Sequence, residues 1–136
     1  MLKNFKNITL FVPLILLFIL FACNEEIENG EYDIRFSPVS KVNIQDTTSI
    51  YRSIEITVEH TGLNSCAEYS HYKLIDNIPK YYYFELYAKY PKDAYCYQNL
   101  ISISTTINIS FSQKGKNYLY FKQYDDKYLL DSVFVK

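Results

Sequence analysis

Over most of this chain apolar and polar residues alternate one for one, the period that turns successive side chains to opposite faces of a β-strand. The plainest case is Ile54-Glu55-Ile56-Thr57-Val58-Glu59, with Ile54, Ile56 and Val58 read as core and the residues between them as solvent-facing. Tyr32–Phe36 and Lys41–Gln45 alternate before it, separated by Pro38 and followed by a polar turn at Asp46–Ser49. Residues 67–76 alternate more weakly, in a register that sets Tyr69, His71 and Lys73 on one face. Tyr81–Lys89 is strong again: Tyr82, Phe84, Leu86 and Ala88 point inward, and Tyr81, Tyr83, Glu85, Tyr87 and Lys89 outward. Ile101, Ile103, Ile107, Ile109 and Phe111 share one parity, with a break expected near Thr105-Thr106. A turn at Ser112–Lys116 holds Gly115, where positive φ is favoured. Leu119 and Phe121 then alternate with tyrosines, Tyr124–Lys127 turns the chain, and Leu129–Val135 closes it. Short strands at regular spacing, without an amphipathic helix, predict an all-β fold over residues 32–136: a single antiparallel β-sandwich of seven or eight strands.

The first 22 residues break the pattern. Lys3 and Lys6 precede an uncharged, mostly apolar run from Ile8 to Ala22, ending in Leu20-Phe21-Ala22-Cys23. The run is shorter than the roughly 20 residues a helix needs to span a bilayer, and Pro13 interrupts it. A basic start, a short apolar core and a small residue before the cleavage point define a secretory signal, read here as an N-terminal signal helix. The segment resembles a bacterial lipoprotein signal peptide with its lipobox. That resemblance implies removal of residues 1–22 and lipidation of Cys23, with the membrane as a partner through the lipid. Phe21 is larger than the usual residue two places before the Cys; the alternatives are an ordinary cleaved signal or an uncleaved anchor. Residues 23–31 carry Glu25, Glu26, Glu28 and Glu31 with no base and read as an acidic, solvated tether. They resemble the acidic segment after the lipidated Cys in surface-exported lipoproteins of the Bacteroidota. This implies an outer-membrane location, on the cell surface in preference to a periplasm-facing anchor.

Charge and cysteine content then narrow the picture. Lys3 and Lys6 leave with the signal, so 12 of the 14 bases remain against 15 acids, a net of about −3 that argues against nucleic acid as a partner. With Cys23 assigned to lipid, Cys66 and Cys96 remain. An exported chain matures where disulfides persist, and two cysteines allow one intramolecular pairing, Cys66–Cys96. The 15 tyrosines, with no Trp, are explained in the first instance by AT-rich codons and by the preference of Tyr for strands.

Gly115-Lys116-Asn117-Tyr118-Leu119-Tyr120-Phe121-Lys122-Gln123, a turn, and Leu129-Leu130-Asp131-Ser132-Val133-Phe134-Val135 resemble the closing hairpin of small immunoglobulin-like β-sandwich lipoproteins of the Bacteroidota. The resemblance covers the signal and about the last third of the chain, and it implies an immunoglobulin-like sandwich. The chain departs from antibody-type domains in lacking a core Trp and in having cysteines only 30 positions apart, which suits a tied loop or strand end better than an inter-sheet pair. Fold alone does not imply function.

Candidate chemistry is sparse. His60 and His71, with Glu59 or Glu68, match no metal-ligand spacing and read as solvated strand-end residues. No phosphate-cradling Gly loop and no GxSxG elbow occur, and Asp125-Asp126 lies in a turn. No metal, cofactor or catalytic residue is assigned, and an enzyme is not expected. Asp46-Thr47-Thr48 and Asp131-Ser132-Val133 resemble O-glycosylation sites of the Bacteroidota. Tyr81, Tyr83 and Tyr87, joined by Tyr90, Tyr95 and Tyr97, form a candidate binding patch, because Tyr joins apolar area to a polar tip. In the other reading these rings pack under loops or against the second sheet. Without Trp, a protein contact is favoured over a sugar-stacking platform. The expected role is a non-enzymatic binding or accessory module with a protein partner in the cell envelope. The alternatives are a structural envelope lipoprotein and a small hydrolase or inhibitor domain.

Overall fold

Alternation in the sequence becomes alternation in burial. In the strand Ser53–Gly62, Ile54, Ile56, Val58 and His60 are buried while Glu55 and Thr57 face solvent. The computed structural model describes residues 31–136, which form one compact unit. The expected signal helix, Cys23 and the acidic segment up to Gly30 lie outside the described residues. Nine strands follow in order: β1 (Tyr32–Ser37), β2 (Val39–Asn43), β3 (Thr47–Thr48), β4 (Ser53–Gly62), β5 (Glu68–Ile78), β6 (Tyr81–Pro91), β7 (Ile101–Ser110), β8 (Gly115–Lys122) and β9 (Tyr128–Val135).

They form a three-stranded sheet, β2-β4-β7, and a six-stranded sheet containing β1, β3, β5, β6, β8 and β9. Inner side chains of both sheets meet in one core. Ile54, Ile56, Val58, Ile107 and Phe111 come from the smaller sheet's side. Tyr82, Phe84, Leu86, Leu119, Phe121, Val133 and Val135 come from the larger. Phe84 and Phe121, directly paired across β6 and β8, stack at 4.9 Å between ring centroids. Each such fully buried side chain contributes about 1.5–3 kcal/mol relative to exposure.

Three expectations are corrected. Among the described residues the strands number nine rather than seven or eight, because Thr47-Thr48, read as turn, pairs with Phe134 and Val135. β7 runs unbroken through Thr105-Thr106: Thr105 keeps the inward parity and β4 pairs with the strand from end to end. The fold is also not wholly antiparallel, since β3 pairs β9, and β6 pairs β8, in parallel.

β6 organises the larger sheet. Along one edge it pairs with β5 over its length. A strand has only two edges, so β1 and β8 share the other end to end. β1 lies opposite Leu86–Pro91, and Tyr118–Phe121 of β8 lie opposite Tyr81–Phe84. β5 has register shifts between Tyr69 and His71 and between Leu74 and Asp76. Each such bulge adds a residue and inverts parity. Tyr69 therefore packs on the core, while His71 turns to the outer face and stacks on Tyr87. The expectation that Tyr69 and His71 share a face is wrong for this reason.

Candidate functional site

The outer face of the larger sheet carries the candidate patch. Period-two geometry turns Tyr81, Tyr83, Glu85 and Tyr87 of β6 outward, as the alternation predicts. The parallel register then sets Tyr81 opposite Tyr118 and Tyr83 opposite Tyr120. These pairs stack with centroids 5.5 and 4.6 Å apart and planes within 12° of parallel. Tyr128 of β9 meets Tyr83 and Tyr120 edge-on, at 5.7 and 6.3 Å. Offset stacks and edge contacts are the arrangements the aromatic quadrupole favours. The rings thus form a continuous platform, half-covered by one another and open to solvent on the outer side. Leu130 and Phe134 of β9 extend it, 54% and 51% exposed.

Next along β6 lies a charged seam. Glu85 Oε1 accepts from Lys122 Nζ at 2.7 Å, and Glu85 Oε2 accepts from the Tyr87 hydroxyl at 2.7 Å. The Lys122 hydrogen bond holds the Glu85 carboxyl below its ordinary range, against an opposing effect of burial. The same bond raises Lys122, and the hydrogen bond to the carboxylate raises the Tyr87 phenol. Tyr87 is covered on one side by the His71 ring, stacked at 4.9 Å, and receives Lys73 Nζ 4.7 Å from its centroid. Phe36 of β1 meets its edge at 6.4 Å.

The predicted patch is therefore divided. Tyr81 and Tyr83 belong to the platform, and Tyr87 belongs to the polar seam beside it. Tyr90, expected to join them, is buried: its parity is inward, and its hydroxyl accepts from Leu63 N–H at 3.1 Å. Tyr95 and Tyr97 are exposed but lie at the end of the sandwich, away from the platform. Sequence reasoning does not single out Tyr118, Tyr120 and Tyr128. The signal for the first two is their alternation against Leu119 and Phe121, and grouping all three requires the β6–β8 pairing.

His60 corrects another expectation. It is wholly buried near the end of β4, not solvated. Ser37 Oγ–H donates to Thr61 O at 2.7 Å, so His60 Nδ1–H donates to Ser37 Oγ at 2.6 Å. A hydroxyl has one proton, and this fixes the tautomer. The imidazole meets the Tyr69 ring edge-on, and its Nε2 finds no hydrogen-bond partner among the described residues. Burial lowers the His60 pKa to about 4. His60 consequently lies in the interior, whereas His71 lies on the outer face of the larger sheet. Among the described residues no three His, Cys, Asp or Glu side chains gather as a metal site.

At the end of the sandwich, Cys66 and Cys96 form a disulfide, Cα to Cα 5.6 Å, joining the β4–β5 connection to the β6–β7 loop. An open depression of about 310 Å³ beside it is lined by Asp33, Arg35, Asn64, Tyr90, Lys92 and Gln98. Its charges are largely self-satisfied: Arg35 Nη2 lies 2.6 Å from Asp33 Oδ2, and the guanidinium lies over the Tyr90 ring. Of the glycosylation-like sites, Thr47 is exposed, Thr48 is buried and Ser132 is half-buried.

Compared with known proteins, the chain matches no protein-family model, no curated protein and no solved structure.

Proposed function

We propose that this chain is an outer-membrane lipoprotein, anchored through Cys23 and displayed on the cell surface, that acts as a non-enzymatic binding or accessory module. Its partner-facing surface is the tyrosine platform of the six-stranded sheet, and its partner is an envelope protein. The observation that carries this reading is the stacked run of exposed Tyr81 and Tyr128 with half-buried Tyr83, Tyr118 and Tyr120, continued by exposed Leu130 and Phe134. A packed aromatic surface loses little conformational freedom on binding, and Tyr is enriched at the desolvated centres of interfaces. The lipobox-like end and the acidic segment support the address. Two facing sheets with a β8–β9 closing hairpin support an immunoglobulin-like sandwich, with the parallel β6–β8 pair as a departure.

Two measurements test the reading. Cys23→Ser should abolish lipid labelling and release the protein from the membrane; retention by the unlabelled variant overturns the anchor. Tyr128→Ser with Phe134→Ser should remove an envelope protein crosslinked to the wild-type chain on intact cells. Unchanged crosslinking in that folded variant overturns the platform as the contact.

A further inference from the structure

The β6–β7 connection, residues 92–100, carries Tyr95, Tyr97 and Leu100, which are 90%, 71% and 68% exposed. Three large side chains with apolar bodies thus project from one end of the sandwich, left open among the described residues. They are nevertheless held in place. The Cys66–Cys96 disulfide fixes the middle of the loop. Tyr97 N–H donates to Ser65 Oγ at 2.9 Å, and Ser65 N–H donates to Tyr97 O at 3.0 Å. The Tyr95 and Tyr97 rings meet edge-on at 5.9 Å. A loop ordered beforehand gives up little entropy when it engages a surface.

The chain enters the domain beside this loop. Lys92 N–H donates to Glu31 O at 2.9 Å, and Tyr32 pairs with Pro91. The eight Cα steps from Cys23 to Glu31 reach at most about 30 Å when fully extended. A lipid on Cys23 therefore confines the Tyr95 end of the sandwich to within that distance of the bilayer. The opposite end, marked by the 74%-exposed Tyr51 just before β4, lies about 30 Å further along the strands.

We infer that Tyr95, Tyr97 and Leu100 seat in the boundary between headgroups and acyl chains of the membrane that holds the lipid. This inference rests on the anchor reading above. A tyrosine ring suits that boundary, where its apolar body is buried and its hydroxyl stays wet. Exposed Lys92, on the same loop, is placed for headgroup phosphates. The covalent lipid makes the contact intramolecular, so a loop of low intrinsic affinity suffices. The lipid surface is the occupant because the chain itself delivers that loop to it.

The chain contains no Trp, so Tyr95→Trp introduces a single indole at an exposed position, and Tyr51→Trp does the same at the far end. The full-length variants, purified from membranes, are reconstituted into phosphatidylethanolamine–phosphatidylglycerol vesicles with acyl-brominated lipid as quencher, and the Cys23 modification is read by mass. With Cys23 lipidated, indole fluorescence of the Tyr95→Trp variant should be quenched several-fold more strongly than that of the Tyr51→Trp variant. Equal quenching in both variants, or none in either, with Cys23 lipidated overturns the inference and leaves the anchor standing. An unmodified Cys23 overturns both.

Discussion

Lys122 Nζ lies 2.7 Å from Glu85 Oε1 at the place where the end of β1 and the end of β8 meet along the edge of β6. No backbone ladder joins β1 to β8 across this seam among the described residues, because both are spent on β6. Lys122, held by Glu85 of β6, crosses it by lying 5.5 Å from the centroid of the Phe36 ring on β1. Glu85→Gln should lower stability by about 0.5–1 kcal/mol, the range for a pair partly open to solvent. The Glu85 carboxyl is held below its ordinary range. Its contribution is therefore present above the unfolded-state value and lost as pH falls through the folded one. Urea titrations near pH 7 and pH 3 should show the wild type losing more stability between them than the Gln variant does.

His60 acts in a different pH window. Its pKa is about 4 when folded and about 6.5 when unfolded. Between those values the unfolded chain binds the proton and the folded chain does not, so stability falls as pH drops from about 6.5 to about 4 and this loss stops below that. After allowance for screening the loss is on the order of 2 kcal/mol. His60→Leu, which leaves Ser37 Oγ bonded to Thr61 O, should flatten the urea midpoint across this window. A slope unchanged from wild type would assign the titration to another group.

Breaking the Cys66–Cys96 bridge by Cys66→Ser with Cys96→Ser should cost about 3–4 kcal/mol by the chain-entropy account of a 30-residue loop. Non-reducing peptide mass mapping should recover the bridged pair from the wild type. Faster proteolysis should appear within residues 92–100 of the double variant, because the ties left to the middle of that loop are the hydrogen bonds between Tyr97 and Ser65.

Gly62 ends β4 where the chain of the β4–β5 connection folds back on it. A Cβ at this position would stand 2.4 Å from Ala67 Cβ and 3.0 Å from Ile101 Cγ1. Gly62→Ala should therefore destabilise the domain by about 1–3 kcal/mol through overpacking, read as a lowered Tm with the disulfide still formed. An unchanged Tm would mean that the Ala67 turn yields freely.

β4, β6 and most of β7 are legible in the sequence because each has one buried and one wet face, and strict alternation records that directly. β5 is harder to read, because its two bulges invert parity at Ser70 and Ile75, so a pattern faithful to the structure looks irregular along the chain. Thr47-Thr48 has too few residues to show any period. His60 misleads because alternation places it inward, yet its polarity suggests solvent; the Ser37 hydroxyl that partners its Nδ1 comes from 23 positions away. Distance in sequence hides the platform as well. Tyr81 and Tyr83 are visible on β6, whereas their stacking partners on β8 depend on a parallel pairing that no local pattern encodes.

The antiparallel β1–β6 ladder has a mechanical consequence. β1 is the first element after Glu31, and six residue pairs join it to β6, from Tyr32 with Pro91 to Ser37 with Leu86. A pull on the chain at Glu31 runs along β1, so these pairs bear it together in shear instead of unzipping one after another. Force from a tethered end would thus reach the core through the strand that also carries Tyr81 and Tyr83, and a partner seated on those rings would feel the load along its own plane.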